Sequence, residues 1–551
     1  MGILSIASFA GFTLLVAIIA WYATRSTNEK SADGYYLGGR SLGAITIAGS
    51  LLLTNLSAEQ IVGLNGQAFT EGVLVMAWET LAAIAMIVTA IFLLPKYMRG
   101  GITTIPQFIE NRFDHQTKAI LSVLFLIAYG IVLLPTILYS GSLAFSTMFD
   151  LPNMLGLSQN ATIWVCVWSI GIIGSIYAIF GGLKAVAVSD LINAVGLLIG
   201  GLLIPVFGLM AIGEGSVSHG LDVLWKSNPE KFIAAGGVDA SIPFGTIFTG
   251  MMLAQIYYWG TNQSILQRVF GAKSLKEGQK GMILAAFVKF LIPVIVVLPG
   301  IIAWHLFGDD LGYADLAYPK LVKTVLPAAF IGFFAAVLFG AVLSSFNSLL
   351  NSSATLFGFD LYKQYFKKES SELQTVKAGK SFGILLALIS MFIAPFIVYA
   401  PDGLFSYIQV MLGSLSVPIF AVVLVGIYTK RVPALAAKVV LTFGVLLYLF
   451  SQFVLSPYYV DYALVEAASV GITDPKALSI IEAEAYPHFL HVMGILFVFN
   501  VIVLLIIGKL APRTTPYVPL TTEDIDVTPW KYALLVGALI TALVLSTYLI
   551  F

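Results

Sequence analysis

Within a long apolar stretch the chain carries "LTNLSAEQIVG", Leu53 to Gly63, which places Thr54, Asn55, Ser57, Glu59 and Gln60 in one short run. Similar intrusions recur in other apolar segments. Glu79, Asp190 and Lys289 sit singly, "QIYYWGTNQ" adds Gln255, Asn262 and Gln263, "LSSFNSLLNSSAT" adds Ser344, Ser345, Asn347 and Ser348, and Gln409 follows. Hydroxyl and carbonyl oxygens are the groups a hard monovalent cation accepts, and amides, carboxylates and an ammonium can read a polar solute by hydrogen bonds. An ionisable side chain at membrane depth costs about 2.5–3.5 kcal/mol on insertion scales, so each needs a partner or a task. Isolated Ser, Asn and Gln also bond across helix pairs for under about 1 kcal/mol, and Glu79 with Lys289 could form a purely structural pair. That alternative weakens for the set, which is spread over seven segments and dense in two.

The elements that must hold these groups are membrane helices. The 551 residues are 59% hydrophobic and 11% charged, against roughly a quarter charged in soluble domains. Apolar runs long enough to span start near Ile6, Ala44, Val73, Ala119, Ile163, Leu191, Phe244, Met282, Pro327, Phe382, Leu404, Val440, Phe489 and Tyr532, about fourteen in all. The first has no basic residue before its apolar core and is long enough to cross, so it reads as a permanent helix. Asn, Ser and Gly in the second segment make a helix break easy. Freed carbonyls are tolerated in a membrane only where they line a cavity or meet an ion, and transporters built from inverted repeats place their sites at such breaks. The single Cys166 excludes an internal disulfide and a thiolate cluster and reads as packing. A net charge of zero gives no sign of a nucleic-acid or other polyanionic partner.

Basic residues set the orientation. Loops after the odd-numbered segments hold about 23 of the 29 lysines and arginines. The opposite loops hold Lys226, Lys231, Lys320, Lys323 and Lys476 beside acids such as Asp309, Asp315, Asp461 and Glu482. By the positive-inside rule the basic side is cytoplasmic and both termini lie outside it. Arg268 is counted with the cytoplasmic loops, which leaves Lys289 as the expected only buried base and no arginine deep in the helices. The longest loops, Ile212 to Ile242 and Ser456 to Pro487, are then external.

The motifs "DGYYLGGRSLG", "LTNLSAEQIVG", "GGLKAVAVSD", "IYYWGTNQSILQR", "QKGMILAAFVK" and "LSSFNSLLNSSATLF", in this order and spacing, resemble the sodium–solute symporter family, and within it the bacterial sodium/galactose branch related to sodium/glucose cotransporters. The resemblance runs from about Gly34 to beyond Gln409. It implies an all-α integral membrane protein with a leucine-transporter-type core of two inverted five-helix repeats: residues 41–213 (helices 2–6) and 244–429 (helices 7–11), preceded by a peripheral helix in 1–40 and followed by three in 434–551. It implies Na+ as the coupling ion, bound by carbonyls of Leu53, Leu56 and Ala341 with the hydroxyls of Ser344 and Ser345. The sugar site would use Asn55, Gln60, Glu79, Gln255, Lys289 and Gln409, with Tyr258 as inner gate and Trp259 and Phe405 as cavity walls. Asp190, Asn347 and Ser348 match a second sodium site of some relatives, although Asn347 stands where those have a hydroxyl. Two further departures fall on the sugar site. The galactose branch has an Asn at the place of Gln255 and a sugar-contacting Ser at the place of Ala82, so a neutral hexose-like sugar follows but galactose does not.

The implied protein is a multi-pass inner-membrane symporter, not an enzyme, with no organic cofactor and no obligatory protein partner. A sodium symporter for sialic acid or an amino acid is the alternative, weakened by the lack of an expected interior arginine for a carboxylate. A membrane-embedded enzyme finds little support: the "DID" at Asp524 to Asp526 lies in a loop, the five histidines are scattered, and "AGKS", Ala378 to Ser381, lacks the glycine a phosphate loop needs, with Gln374 there instead. A channel would need a symmetric filter or charged ring, and none is visible.

Overall fold

The computed structural model describes residues 3–24, 38–180, 183–399, 404–522 and 525–551. Arg25, Lys30, the start of "DGYYLGGRSLG", Gly181, Gly182 and Asp524 lie outside them. The described residues are helical throughout, with only isolated bridges such as Leu42 to Ala272. Ten helices are long and apolar enough to cross a bilayer, and Leu275–Leu291 with Pro293–Phe307, bent by 45°, brings the number to eleven. The other three expected segments fall on shorter pieces: Ile3–Thr24, described as an apolar helix over Ala7–Tyr22, and two interrupted segments. The stretch from Ser456, expected as a long external loop, carries Ser456–Ser469 and Pro475–Ala485 as helices.

The helices that carry the site are α1 (Ala44–Asn55), α2 (Ala58–Glu71), α3 (Ala77–Val88), α4 (Leu183–Ile212), α5 (Gly250–Thr261), α6 (Gln263–Phe270), α7 (Leu275–Leu291), α8 (Ala328–Thr355) and α9 (Leu404–Tyr428). Helix α1 packs against α4, α7 and α8, while α3 and α9 flank α5. Both interruptions have local causes. Between α1 and α2 the last helical N–H is that of Leu56, donated to Leu52 O at 2.7 Å. Ser57 is extended (φ −87°, ψ −177°) and starts α2. The carbonyls past Leu52 are thereby released from the helix. Between α5 and α6, Asn262 is extended (ψ 125°), and its Oδ1 accepts from Ser264 N at 3.0 Å, Ser264 Oγ at 2.9 Å and Tyr129 OH at 2.9 Å. This side-chain turn replaces the lost helical bonds.

The far end of α2 is fixed from outside the bundle. Gly72 has φ +77°, and a Cβ there would lie 2.3 Å from Lys231 O, so only glycine fits. Lys231 Nζ donates to Phe69 O at 3.0 Å and Thr70 O at 2.5 Å, placing a cation on the negative end of α2.

Candidate functional site

The α1–α2 break faces α8. Ser345 Oγ donates to Thr54 O at 3.0 Å, tying α8 to the released end of α1. Ser344 Oγ is buried and has no hydrogen-bond partner. A buried hydroxyl left unpaired costs about 1–3 kcal/mol unless something meets it. Beside released carbonyls, an orphaned hydroxyl oxygen is a fitting ligand for a hard cation. The donor set expected at Leu53, Leu56, Ala341, Ser344 and Ser345 is therefore chemically consistent with sodium: all oxygen, all neutral, at the meeting of a helix end and α8.

A second constellation joins α2, α3 and α7. Lys289 Nζ pairs with Glu79 Oε2, both fully buried, and Gln60 Nε2 donates to Glu79 Oε1 at 2.9 Å. The pair makes a neutral, strongly dipolar patch next to Trp259, whose ring centroid is 5.8 Å from Lys289 Nζ. Tyr258 meets Trp259 edge to face at 5.2 Å. Its neighbours include Asn55 and Glu59. Gln255 Nε2 reaches Trp78 O at 2.8 Å, so the longer amide bridges α5 to the start of α3. Ala82 is buried. Gln409 is half-buried on α9. Phe405, one turn above it, is buried, stacks edge to face on Trp78 at 5.3 Å and lies over Gly63. Above Phe405 a vestibule of about 920 Å³ opens, lined by Gly63, Gly66, Tyr139, Tyr313 and Asp315 among others.

A third cluster joins α1, α4, α6 and α8. Ser50 Oγ donates to Asp190 Oδ2 at 2.7 Å. Arg268 Nε donates to Thr54 Oγ1 at 2.7 Å, Nη1 to Ser264 O at 2.8 Å, and Nη2 to Ser348 Oγ. Ser348 Oγ in turn donates to Ser344 O at 2.6 Å. Asn347 is fully buried with neither amide atom bonded, and Asp190 Oδ1 is also unpartnered.

The expectation that Lys289 is the only buried base, with no arginine deep in the helices, is overturned. Arg268 is 1% exposed and Arg112 fully buried. The segment after the α5 break does not leave the protein: every residue of α6 is buried, and the guanidinium finds three acceptors inside. Sequence reasoning also passed over Trp78 and Tyr129 and gave no role to Thr54 or Glu59. The signal for Arg268 was present in its spacing, four residues after Ser264 and so on the same helical face.

A sequence profile of the sodium:solute symporter family matches residues 35–444. The chain belongs to that family. An uncharacterized symporter, YidK, of Escherichia coli strain K12 is 44% identical over 96% of this chain and 88% of its own length. A sodium/glucose cotransporter of Vibrio parahaemolyticus is 32% identical over 85% of this chain and 92% of its own length. Among solved structures, a Na+-coupled sialic acid symporter in a substrate-bound outward-open state superposes with TM-score 0.67 at 20% identity, covering 91% of this chain and 98% of that one. The fold of this family member is thus of the leucine-transporter type, and its activity is sodium-coupled symport across a membrane.

Proposed function

We propose that the solute is a neutral, hexose-like sugar, imported with sodium by alternating access across the inner membrane, both termini facing away from the cytoplasm. The observation that carries the sugar reading is the Gln60–Glu79–Lys289 constellation at the helix break: a buried, charge-neutral group of donors and acceptors beside the aromatic faces of Tyr258 and Trp259. Such a surface suits the alternating apolar faces and hydroxyl edges of a sugar ring. The 32% identity to a protein described as a sodium/glucose cotransporter supports the same reading. Arg268 does not revive an anionic substrate, because each of its three nitrogens already donates to a group inside the protein, Thr54, Ser264 and Ser348.

In this reading Leu53, Leu56, Ala341, Ser344 and Ser345 hold the coupling sodium, while Asn55, Gln60, Glu79, Gln255, Lys289 and Gln409 hold the sugar. Tyr258 closes the inner side, with Trp259 and Phe405 as walls. Residues 41–213 and 244–429 form the inverted repeats. Arg268 occupies Ser348, which favours one sodium per cycle over a second ion at Asp190, Asn347 and Ser348. Sodium binding would satisfy the lone pairs of the released carbonyls and favour the outward-open form; sugar would then bind and the bundle would rock inward. One charge crossing about 100 mV contributes about 2.3 kcal/mol, and a tenfold sodium gradient about 1.4 kcal/mol. Their sum of about 3.7 kcal/mol supports a few-hundredfold accumulation.

Uptake of a panel of labelled neutral sugars into proteoliposomes, under separate sodium, potassium and proton gradients, tests this. Concentrative uptake of a hexose driven by sodium alone is expected. Movement only of carboxylates or amino acids would overturn the sugar reading and leave sodium symport standing.

A further inference from the structure

Glu59 has no place in the sodium or sugar sets, yet it lies where a solute must pass. On α2, Glu59, Gly63, Gly66 and Thr70 follow one another at helical spacing and share one face. Gly63, Gly66 and Thr70 of that face line the outer vestibule. Phe405 sits over Gly63. Glu59 lies one turn before Gly63 on α2 and Gln409 one turn after Phe405 on α9, so the two residues flank that contact.

The other interior charges cancel in pairs, and Glu59 is left over. Glu79 is paired with Lys289, and Asp190 lies in the field of Arg268. Glu59 forms no ion pair among the described residues, and its Oε2 is buried without a hydrogen-bond partner. Other unpartnered atoms nearby, Asn55 Oδ1 and Ser57 Oγ, also offer lone pairs. The vestibule leading here presents Glu71, Asp239, Asp315 and Glu482, and no lysine or arginine.

We infer that Glu59 sets the charge rule of the solute path, admitting neutral and cationic solutes and rejecting anions. A hydroxyl or ammonium can donate to the free carboxylate oxygen, whereas an incoming carboxylate meets a like charge with no cation between them in a low-dielectric cavity. This rests on the reading of the cavity as the solute path, but not on the solute being a sugar.

The test uses the full chain with a thiol introduced by Gln409→Cys and compares its modification from outside by cationic and anionic methanethiosulfonate reagents. Rates are corrected for each reagent's reactivity with a free thiol, and the parent chain reports any reaction at the buried Cys166. The corrected rate is expected to favour the cationic reagent by tenfold or more. Adding Glu59→Gln should lower that preference about tenfold, and Glu59→Asp, which keeps the charge, should restore most of it. An unchanged preference in Glu59→Gln would overturn the inference and leave sugar symport untouched. A thiol that neither reagent reaches would overturn it too, because the path would not run there.

Discussion

Two polar regions of this molecule are built from similar residues and end up opposite in character. The collar around the Ile105–Arg112 helix uses its charges fully. Arg112 donates to Gly426 O at 2.9 Å, Val432 O at 3.2 Å and Thr429 O at 3.1 Å. Lys118 stands between Glu110 at 2.6 Å and Asp360 at 3.1 Å, and Ser122 completes Asp360. The interior between α1, α3, α5 and α8 instead leaves Asn55, Ser57, Glu59, Trp78, Ser344 and Asn347 with unpartnered atoms. A buried network that satisfies its charges holds the fold, while one that leaves buried atoms unpaired is waiting for ligands.

The contrast is tested most sharply at the interior Glu79–Lys289 pair, which is closed on itself as the collar's pairs are. Removing one partner of a buried pair strands the other at a cost of about 3–5 kcal/mol. Lys289→Ala should therefore abolish concentrative uptake, by more than about a hundredfold, and lower the melting temperature as well. Lys289→Ala with Glu79→Ala should recover much of the melting temperature and none of the uptake. Recovery of uptake in the double variant would make the pair structural, like the collar.

Arg112→Ala should show the converse. Three bonds to carbonyls are lost, and charge-assisted bonds contribute about 1.5–3 kcal/mol each before relaxation. The melting temperature should fall by several degrees while the half-saturating sodium and solute concentrations of the folded fraction stay within about twofold. A selective rise in either constant would move the collar into the transport machinery.

Smaller again is Ser344→Ala. Deleting one of five oxygens should weaken sodium about tenfold, or about 1.4 kcal/mol. Sodium-dependent stabilisation read at a fixed concentration well above saturation should shrink by the same amount, with the sodium-free melting temperature unchanged or raised, since an unpaired hydroxyl has been removed. Undiminished sodium stabilisation would place the ion elsewhere.

Much of this contrast was legible in the sequence. The break at "LTNLSAEQIVG" could be read because Asn and Ser interrupt a helix for local reasons, while the pairing of Glu79 with Lys289 stood only as an alternative to a role at the solute. Helix number was harder. Interrupted segments such as α5 with α6 have apolar content without continuous length, and α7 bends at Pro293, so composition and spanning geometry diverge. Arg268 was misplaced because the basic side of the membrane was read from charge alone. A guanidinium whose acceptors come from α1, α6 and α8 is a tertiary fact that no window along one segment reveals. Arg112 is hidden for the same reason, its acceptors lying more than three hundred residues away in sequence.

The smallest effect expected is at Asp315, which lines the vestibule and belongs to neither kind of network. Burial pushes its carboxyl up to about 6, partly opposed by the Leu404 N–H that donates to it at 3.3 Å. The titratable groups facing it are the phenols of Tyr139 and Tyr313, both neutral in this range. Because the folded carboxyl holds its proton more tightly than the unfolded one, its burial destabilises nothing below about pH 4. The cost grows from about pH 4 to 6 and is fully present above. Acidification through about pH 6 thus removes one negative charge from the vestibule while locally favouring the fold. The preference of the Gln409→Cys thiol for a cationic over an anionic reagent should fall about twofold across that step and stay level in Asp315→Asn. A step that persists in Asp315→Asn would assign the titration to another acid of the vestibule, and the absence of any step would show that the charge rule is set wholly at Glu59, below Phe405.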